Sequence, residues 1–314
     1  MQILSKIKKT ARDIVWLTMI MLIAASCAKD IFNTSEETTK SFDLEDFNAI
    51  AIYDNIDIEF KQANQNEKPR IEITATKNTI DHIIWDYEQD FQEHGFYTIE
   101  HAVGQKDTLN LEQIVCTYKR LILKNDKPFK NFVNQQHYPQ VIIYFHTIEH
   151  IEYQANGTIV FSDPIELFTN DSVSFSLRFS EGLTPYIADS IAKTILPAMF
   201  MCKINEGSGD LSLKLQMRNP RSHSYLLHYY GTSNLLIEGK TETCYVFQDS
   251  YGPIDAHNFS SDFTFLTNNS DNHCYVHARS RLGATINGSG NVYYYGRPSI
   301  THDGFGSGQL IRVE

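Results

Sequence analysis

Three groups of side chains in this sequence could carry chemistry. Asp210 and Asp255 both follow glycines at turns. Carboxylates on neighbouring rungs of a β-rod can share general acid and base work. Two rungs separate these two, which favours a structural role: amides and carboxylates that bond the backbone of stacked turns. His273 and His277 are four residues apart. On a helix that spacing could hold a metal, but on a strand it separates the rings by about 13 Å, which predicts solvated side chains. Cys116, Cys202, Cys244 and Cys274 lack CxxC spacing and a His-x-x-x-His partner, so no zinc or redox motif is present; in an oxidising envelope they could form disulfides, but most of them read as small apolar core residues. Pairing of Cys244 with Cys274 is not expected, since they fall at different rung positions. Tyr293 and Tyr295 flank Tyr294 and, with Tyr275, would point rings outward, where they can stack on sugars or bind proteins. Ordinary strand composition explains the same tyrosines, and the sequence leaves both readings open. No catalytic residue, metal site or cofactor is assigned.

The elements that must position these groups are strands. Period-two alternation runs through Ala49–Tyr53, Ile56, Ile58 and Phe60, then Ile71, Ile73 and Ala75. Further strands are predicted at Tyr97–His101, Tyr118–Leu123, Val141–Phe145 and Thr158–Phe161. Helical spacing of Ile187, Ile191, Ile195 and Met199 predicts a short helical insertion near residues 185–202.

The last third repeats. GSGD (207–210), GTSN (231–234), GPID (252–255), GSGN (288–291) and GSGQ (306–309) recur at gaps of 24, 21, 36 and 18, and SDNH (270–273) halves the 36. A chain that returns to the same place every 18 to 24 residues, with short strands between turns, predicts a coil of stacked parallel strands. Aligned, the turn column holds Asp210, Asn234, Asp255, His273, Asn291 and Gln309. The next column holds Leu211, Leu235, Ala256, Cys274, Val292 and Leu310. Two residues on stand Leu213, Ile237, Asn258, Val276, Tyr294 and Arg312, with Asn258 out of character for an inward position. The expected fold is all-β, a right-handed parallel β-helix.

Residues 1–26 have a basic start (Lys6, Lys8, Lys9, Arg12) and an apolar run from Ile14 to Ala25 that is short for a membrane span. This is read as an export signal. Ala24, Ala25, Ser26 and Cys27 resemble the lipobox of bacterial lipoproteins, which implies lipidation at Cys27 and a membrane attachment through that lipid. Ala28, Lys29 and Asp30 partly resemble the surface-export signal of Bacteroidetes lipoproteins. The expected organisation is a signal peptide (1–26), a lipidated tether (27–41) and one β-domain (42–314). Loss of residues 1–26 removes four basic residues and Asp13, a net +3, moving the formal charge from −11 to −14. Such a chain repels polyanions, so nucleic acid is excluded as a partner.

Residues 284–310, ATINGSGNVYYYGRPSITHDGFGSGQL, and 47–62, FNAIAIYDNIDIEFKQ, resemble the closing signature and opening strand pair of the head GIN domain family, also called putative auto-transporter adhesins. The resemblance implies a β-helix, an envelope address and no catalytic residues. The expected function is a non-enzymatic envelope lipoprotein, an adhesin or binding scaffold that presents its surface to a glycan or to an envelope or host protein. It would be anchored in the outer membrane on the surface or periplasmic face. The alternatives are a carbohydrate-active β-helix enzyme and a periplasmic structural protein without an external ligand.

Overall fold

A computed structural model describes residues 37–95, 114–126, 138–167, 173–175 and 198–314. Alternating apolar residues make these segments strands. The first eleven are β1 (Glu37–Asp43), β2 (Ala49–Asp54), β3 (Asp57–Gln62), β4 (Arg70–Thr76), β5 (Ile83–Gly95), β6 (Ile114–Asn125), β7 (Gln140–Phe145), β8 (His150–Ala155), β9 (Ile159–Phe161), β10 (Ile165–Leu167) and β11 (Val173–Phe175). Then follow β12 (Ala198–Gly207), β13 (Leu211–Met217), β14 (Ser222–His228), β15 (Leu235–Gln248), β16 (Ile254–Asn268), β17 (Cys274–Ile286), β18 (Val292–Tyr295), β19 (Ser299–Asp303) and β20 (Leu310–Arg312). Together they form one large mixed sheet.

Two parallel ladders dominate it. In the first, Leu211 pairs with Leu235, Leu235 with Ile254, Ile254 with Cys274, Cys274 with Val292 and Val292 with Leu310. In the second, the column Leu121, Ile50, Ile151, Cys202, Leu226, Val246, Leu266, Ala284 and His302 runs through nine strands. The long strands β15, β16 and β17 serve both ladders: residues 235–240 of β15 pair with β13 and residues 243–248 with β14. Every member of the second column except His302 is buried, so the inward faces of the ladders close over one core. Burying each such Leu or Ile contributes roughly 1.5–3 kcal/mol.

Among the described residues, antiparallel pairs occur only towards the other end, where β4 joins β1 and β7, and β6 joins β5 and β11. The first rung in the sequence is not the first in space. Strand β2 lies between β6 and β8, and β3 between β7 and β9. This brings Phe60 against Phe161, stacked at 4.4 Å and 6°, and edge-on to Phe145 at 6.0 Å.

Several expectations are corrected. The third rung is shifted by two residues: Ile254, not Ala256, follows Leu235, and Ala256 pairs with Val276. Asn258 is therefore absent from the inward column, and the bulges around residues 257–259 absorb the extra length. The apparent 18-residue spacing across this rung is 20, from Ile254 to Cys274, and 18 holds only for the next two steps. Residues 198–202 of the expected helical insertion are strand β12, and the rest of that insertion lies outside the described residues. So do the expected strand at Tyr97–His101, the export signal and Cys27. The stretch read as tether already contains strand from Glu37 onward, paired with β4. The described helix is one turn, Lys77–Ile80, and no helix among the described residues is long and apolar enough to cross a membrane.

The turns that follow the second ladder are polar inside. Beside the apolar column stands a second inward one, in which Ile52, Tyr153, Ile204, His228, Gln248, Asn268 and Ile286 are paired in succession. Tyr153 Oη donates to the Gly157 carbonyl at 2.5 Å, Gln248 Nε2 to Gly252 at 3.3 Å and Asn268 Nδ2 to Asn272 at 3.2 Å. Each reaches the carbonyl four residues ahead and pins the turn from within, giving buried polar groups their partners. The turns leave no room for a Cβ at some glycines. One added to Gly209 would lie 1.8 Å from the Gly157 oxygen, and one added to Gly157 would lie 1.8 Å from the Ile56 oxygen.

Gly209→Ala should therefore force neighbouring rungs apart and cost on the order of 3 kcal/mol or more, read from urea unfolding. Burial also holds three histidines neutral: His150 is pushed down to about 3, helped by Lys203 and Arg120, and His223 and His228 to about 4. Because the folded values lie below the unfolded one, the unfolded chain binds more protons as pH falls below about 6.5. Stability should fall from there towards pH 4, each histidine contributing about 1.4 kcal/mol per pH unit. His228→Gln should lower the slope of unfolding free energy against pH by one proton.

Candidate functional site

The expected tyrosine surface lies where β16, β17 and β18 run side by side. Alternation turns Cys274, Val276, Val292 and Tyr294 into the core and leaves Tyr275, His277, Tyr293 and Tyr295 half-buried on the outer face. Parallel pairing puts Asp255 beside Tyr275, Tyr275 beside Tyr293, and His277 beside Tyr295. Rungs are about 4.8 Å apart, close to a ring-stacking distance. Tyr275 and Tyr293 stack at 5.0 Å and 13°. His273 meets Tyr293 edge-on at 5.3 Å, and Tyr295 packs against His257 at 5.6 Å and His277 at 6.4 Å. The result is a rigid patch of six rings edged by one carboxylate.

Hydrogen bonds orient that edge. His257 Nδ1 lies 2.5 Å from Asp255 Oδ1, and His277 Nδ1 lies 3.2 Å from the His257 carbonyl oxygen. Burial, reinforced by Tyr293, Asp255 and Tyr295, raises the pKa of the Tyr275 phenol, which stays a neutral donor. Stacking faces, phenol and imidazole donors and a carboxylate acceptor can together hold a ligand that has both apolar and hydroxyl-bearing surfaces.

The other sequence-derived residues are distributed differently. Asn234 Nδ2 donates to Asp210 Oδ1 at 2.6 Å, the Asn291 amide to His273 Nδ1 at 3.1 Å, and the Gln309 amide to Asn291 Oδ1 at 2.9 Å. Asp255 is not in this turn column. Pro253 takes its place, its carbonyl accepting from the Leu235 amide at 3.1 Å, and Asp255 sits on the outer face with the tyrosines. Asp210 and Asp255 are not brought together. His273 and His277 are half-buried against rings instead of being fully solvated. Among the described residues, no three His, Cys, Asp or Glu side chains form a group suited to a metal. Cys202, Cys244 and Cys274 are free and buried, and burial pushes the Cys202 and Cys274 thiols up to about 12.

The sequence reading missed two contributions. Asp255 and His257 complete the tyrosine patch, and their role was hidden by the two-residue shift of that rung. On the second ladder, Tyr225, Tyr245 and Phe265 stack in succession at 4.9 Å and 5.6 Å. Their identical spacing of 20 residues was the available signal.

A family model described as "Putative auto-transporter adhesin, head GIN domain" matches residues 102–298. The chain belongs to this family. The match includes the tyrosine patch, the stretch from residue 102 to 205 and the closing signature as far as residue 298, and it does not extend to the opening strand pair at 47–62. Among the curated proteins, none matches. Solved structures share the fold at low identity. A putative adhesin from Bacteroides fragilis aligns with a TM-score of 0.56 at 15% identity, covering 89% of this chain and 98% of its own. A putative adhesin from Parabacteroides distasonis aligns at 0.53 and 14%, with the same coverage. Another protein of that organism, named a putative lipid binding protein, aligns at 0.50 and 15%, covering 90% of this chain and 98% of its own.

The Tyr275–Tyr293 stack should be measurable on its own. A double-mutant cycle with Tyr275→Ala and Tyr293→Ala should give a coupling of about 0.5–1.5 kcal/mol in urea unfolding, and additive losses would mean that the rings do not interact.

Proposed function

We propose that this head GIN domain protein is a non-enzymatic binding protein of the cell envelope, presenting the outer face of a rigid strand coil to a glycan or to an envelope or host protein. The observation that carries this reading is the tyrosine patch: stacked, oriented rings on backbone-locked strands, with a hydrogen-bonded Asp255–His257 pair at the edge. Rings held in place lose little entropy when a ligand docks. The interior is occupied by side chains such as Phe60, Phe145, Phe161 and Phe200, which favours the outside of the coil as the binding face. The adhesin name of the family, and those of two solved structures with a similar fold, agree with this assignment.

We read the coil itself as a right-handed parallel β-helix. Two parallel ladders that return every 18 to 24 residues support this, and right-handed crossovers are the rule between parallel strands. For the envelope address we propose acylation at Cys27, which would hold the domain at the outer membrane.

The deciding experiment incubates the purified protein with a panel of polysaccharides and scores both retention and released product. Retention without cleavage, weakened by Tyr293→Ala, is expected; cleavage would assign the protein to the carbohydrate-active enzymes instead. Protease shaving of intact cells, with Cys27→Ser as the anchor control, should cut a surface-exposed protein, and protection would place it on the periplasmic face.

A further inference from the structure

The second ladder carries a row of rings that stops abruptly. Its outward column runs Tyr225, Tyr245, Phe265, Gly283 and Thr301. The first three rings stack at 4.9 Å and 5.6 Å, and at the fourth rung there is no side chain. Backbone geometry does not require a glycine there, since Gly283 is not among the residues with positive φ. A Cβ at Gly283 would meet only the Phe265 ring, at 3.0 Å from Cδ1 and 3.6 Å from Cε1, and no backbone atom. Glycine inside a strand weakens it and often marks the close approach of another molecule.

The missing ring leaves a groove of about 300 Å³, at the lower end of the volumes usual for small-molecule sites. Tyr245 and Phe265 form one wall. Phe247, Thr267, Thr285 and Asp303, from the parallel column two residues on, form the other. Thr285 Oγ1 donates to Asp303 Oδ1 at 2.6 Å, which orients the carboxylate and leaves its second oxygen free to accept. None of the lining residues is Lys or Arg. Arg281 is not part of the lining but stands over the Phe265 ring, its guanidinium carbon 5.8 Å from the centroid.

We propose that this groove is a subsite for a pyranose ring of a neutral glycan, which takes the fourth place in the stack against Phe265 and gives hydroxyl protons to Asp303 and the threonine oxygens. The proposal deepens the glycan-binding reading above, on which it rests, and locates it on a different face from the tyrosine patch. A pyranose has an apolar C–H face for the ring and a rim of hydroxyl donors for the carboxylate. A phenylalanine side chain would stack equally well but offers nothing to Asp303. An anionic sugar would meet both Asp303 and a net charge of −11.

The test measures binding of the full-length protein to a neutral β-glucan, a xylan and a mannan, with a Phe-containing peptide as the competing probe. Phe265→Ala and Gly283→Leu, which removes the platform or fills the vacant place, should each weaken glycan binding about ten-fold or more. Asp303→Asn changes one exposed side chain and should weaken it several-fold with the melting temperature unchanged, so a folding defect in the other variants cannot mimic the result. Glycan binding that survives Phe265→Ala and Asp303→Asn in folded protein overturns the subsite while leaving the glycan-binding reading in place. Peptide binding at the groove without glycan binding also overturns the subsite. Retention of none of the three polysaccharides overturns both.

Discussion

Everything in this protein depends on the backbone hydrogen bonds between successive rungs. A parallel pair locks residue to residue, so a side chain at one place in a rung stands directly over its counterpart in the next. From Ile58 to Val292 the same bond recurs at the start of the first ladder: Ile58 to the Thr158 carbonyl, Ile159 to Asp210, Leu211 to Asn234, Leu235 to Pro253 and Val292 to Gln309. Once that register is set, alternation does the rest. Alternate positions along each strand fill the core, the residues between them build columns on the surface, and a one-residue slip would exchange the two.

The register explains why two unlike polar systems sit at the turns. Outside, Asp210, Asn234, His273, Asn291 and Gln309 bond one another or the next rung's amide across water-accessible edges. Inside, Tyr153, Gln248 and Asn268 bond carbonyls four residues ahead in the same turn. The inner set is buried and loses its desolvation cost only through those bonds. His228 occupies the same column, fully buried and held neutral. This column therefore links acid sensitivity to the packing of the ladders.

The same stacking converts ordinary outward side chains into ordered aromatic surfaces. Rings held one rung apart by the backbone are already at contact distance, so Tyr275 and Tyr293, or Tyr245 and Phe265, need no further ordering before they meet a ligand. The two faces differ at their ends. The tyrosine patch is bordered by a carboxylate–imidazole pair, whereas the second stack ends at Gly283 in an open groove. Both lie on strands, which hold a site more rigidly than loops do.

Much of this was legible in the sequence, because its signals are local. Period-two apolar residues placed the strands around Ile50, Ile58, Ile71, Leu121 and Ile143. Recurring glycine turns located the rungs and the outward direction of Tyr275, Tyr293 and Tyr295. What the sequence did not hold was phase and order. The glycine of GPID suggested a turn at Asp255, yet the chain resumes pairing at Ile254, two residues earlier than the motif implies, and the surplus becomes bulges near residue 258. That shift moved Asp255 from the turn column to the tyrosine patch. The insertion of β2 between β6 and β8 is likewise invisible in linear spacing, since it joins residues about 70 and 100 apart. The sequence by itself determined which residues face inward along each strand, a property of neighbours in the chain. Only the tertiary structure decided which rung lies over which, because that choice is made by hydrogen bonds between segments whose spacing a bulge or an interleaved strand can change without altering the local pattern.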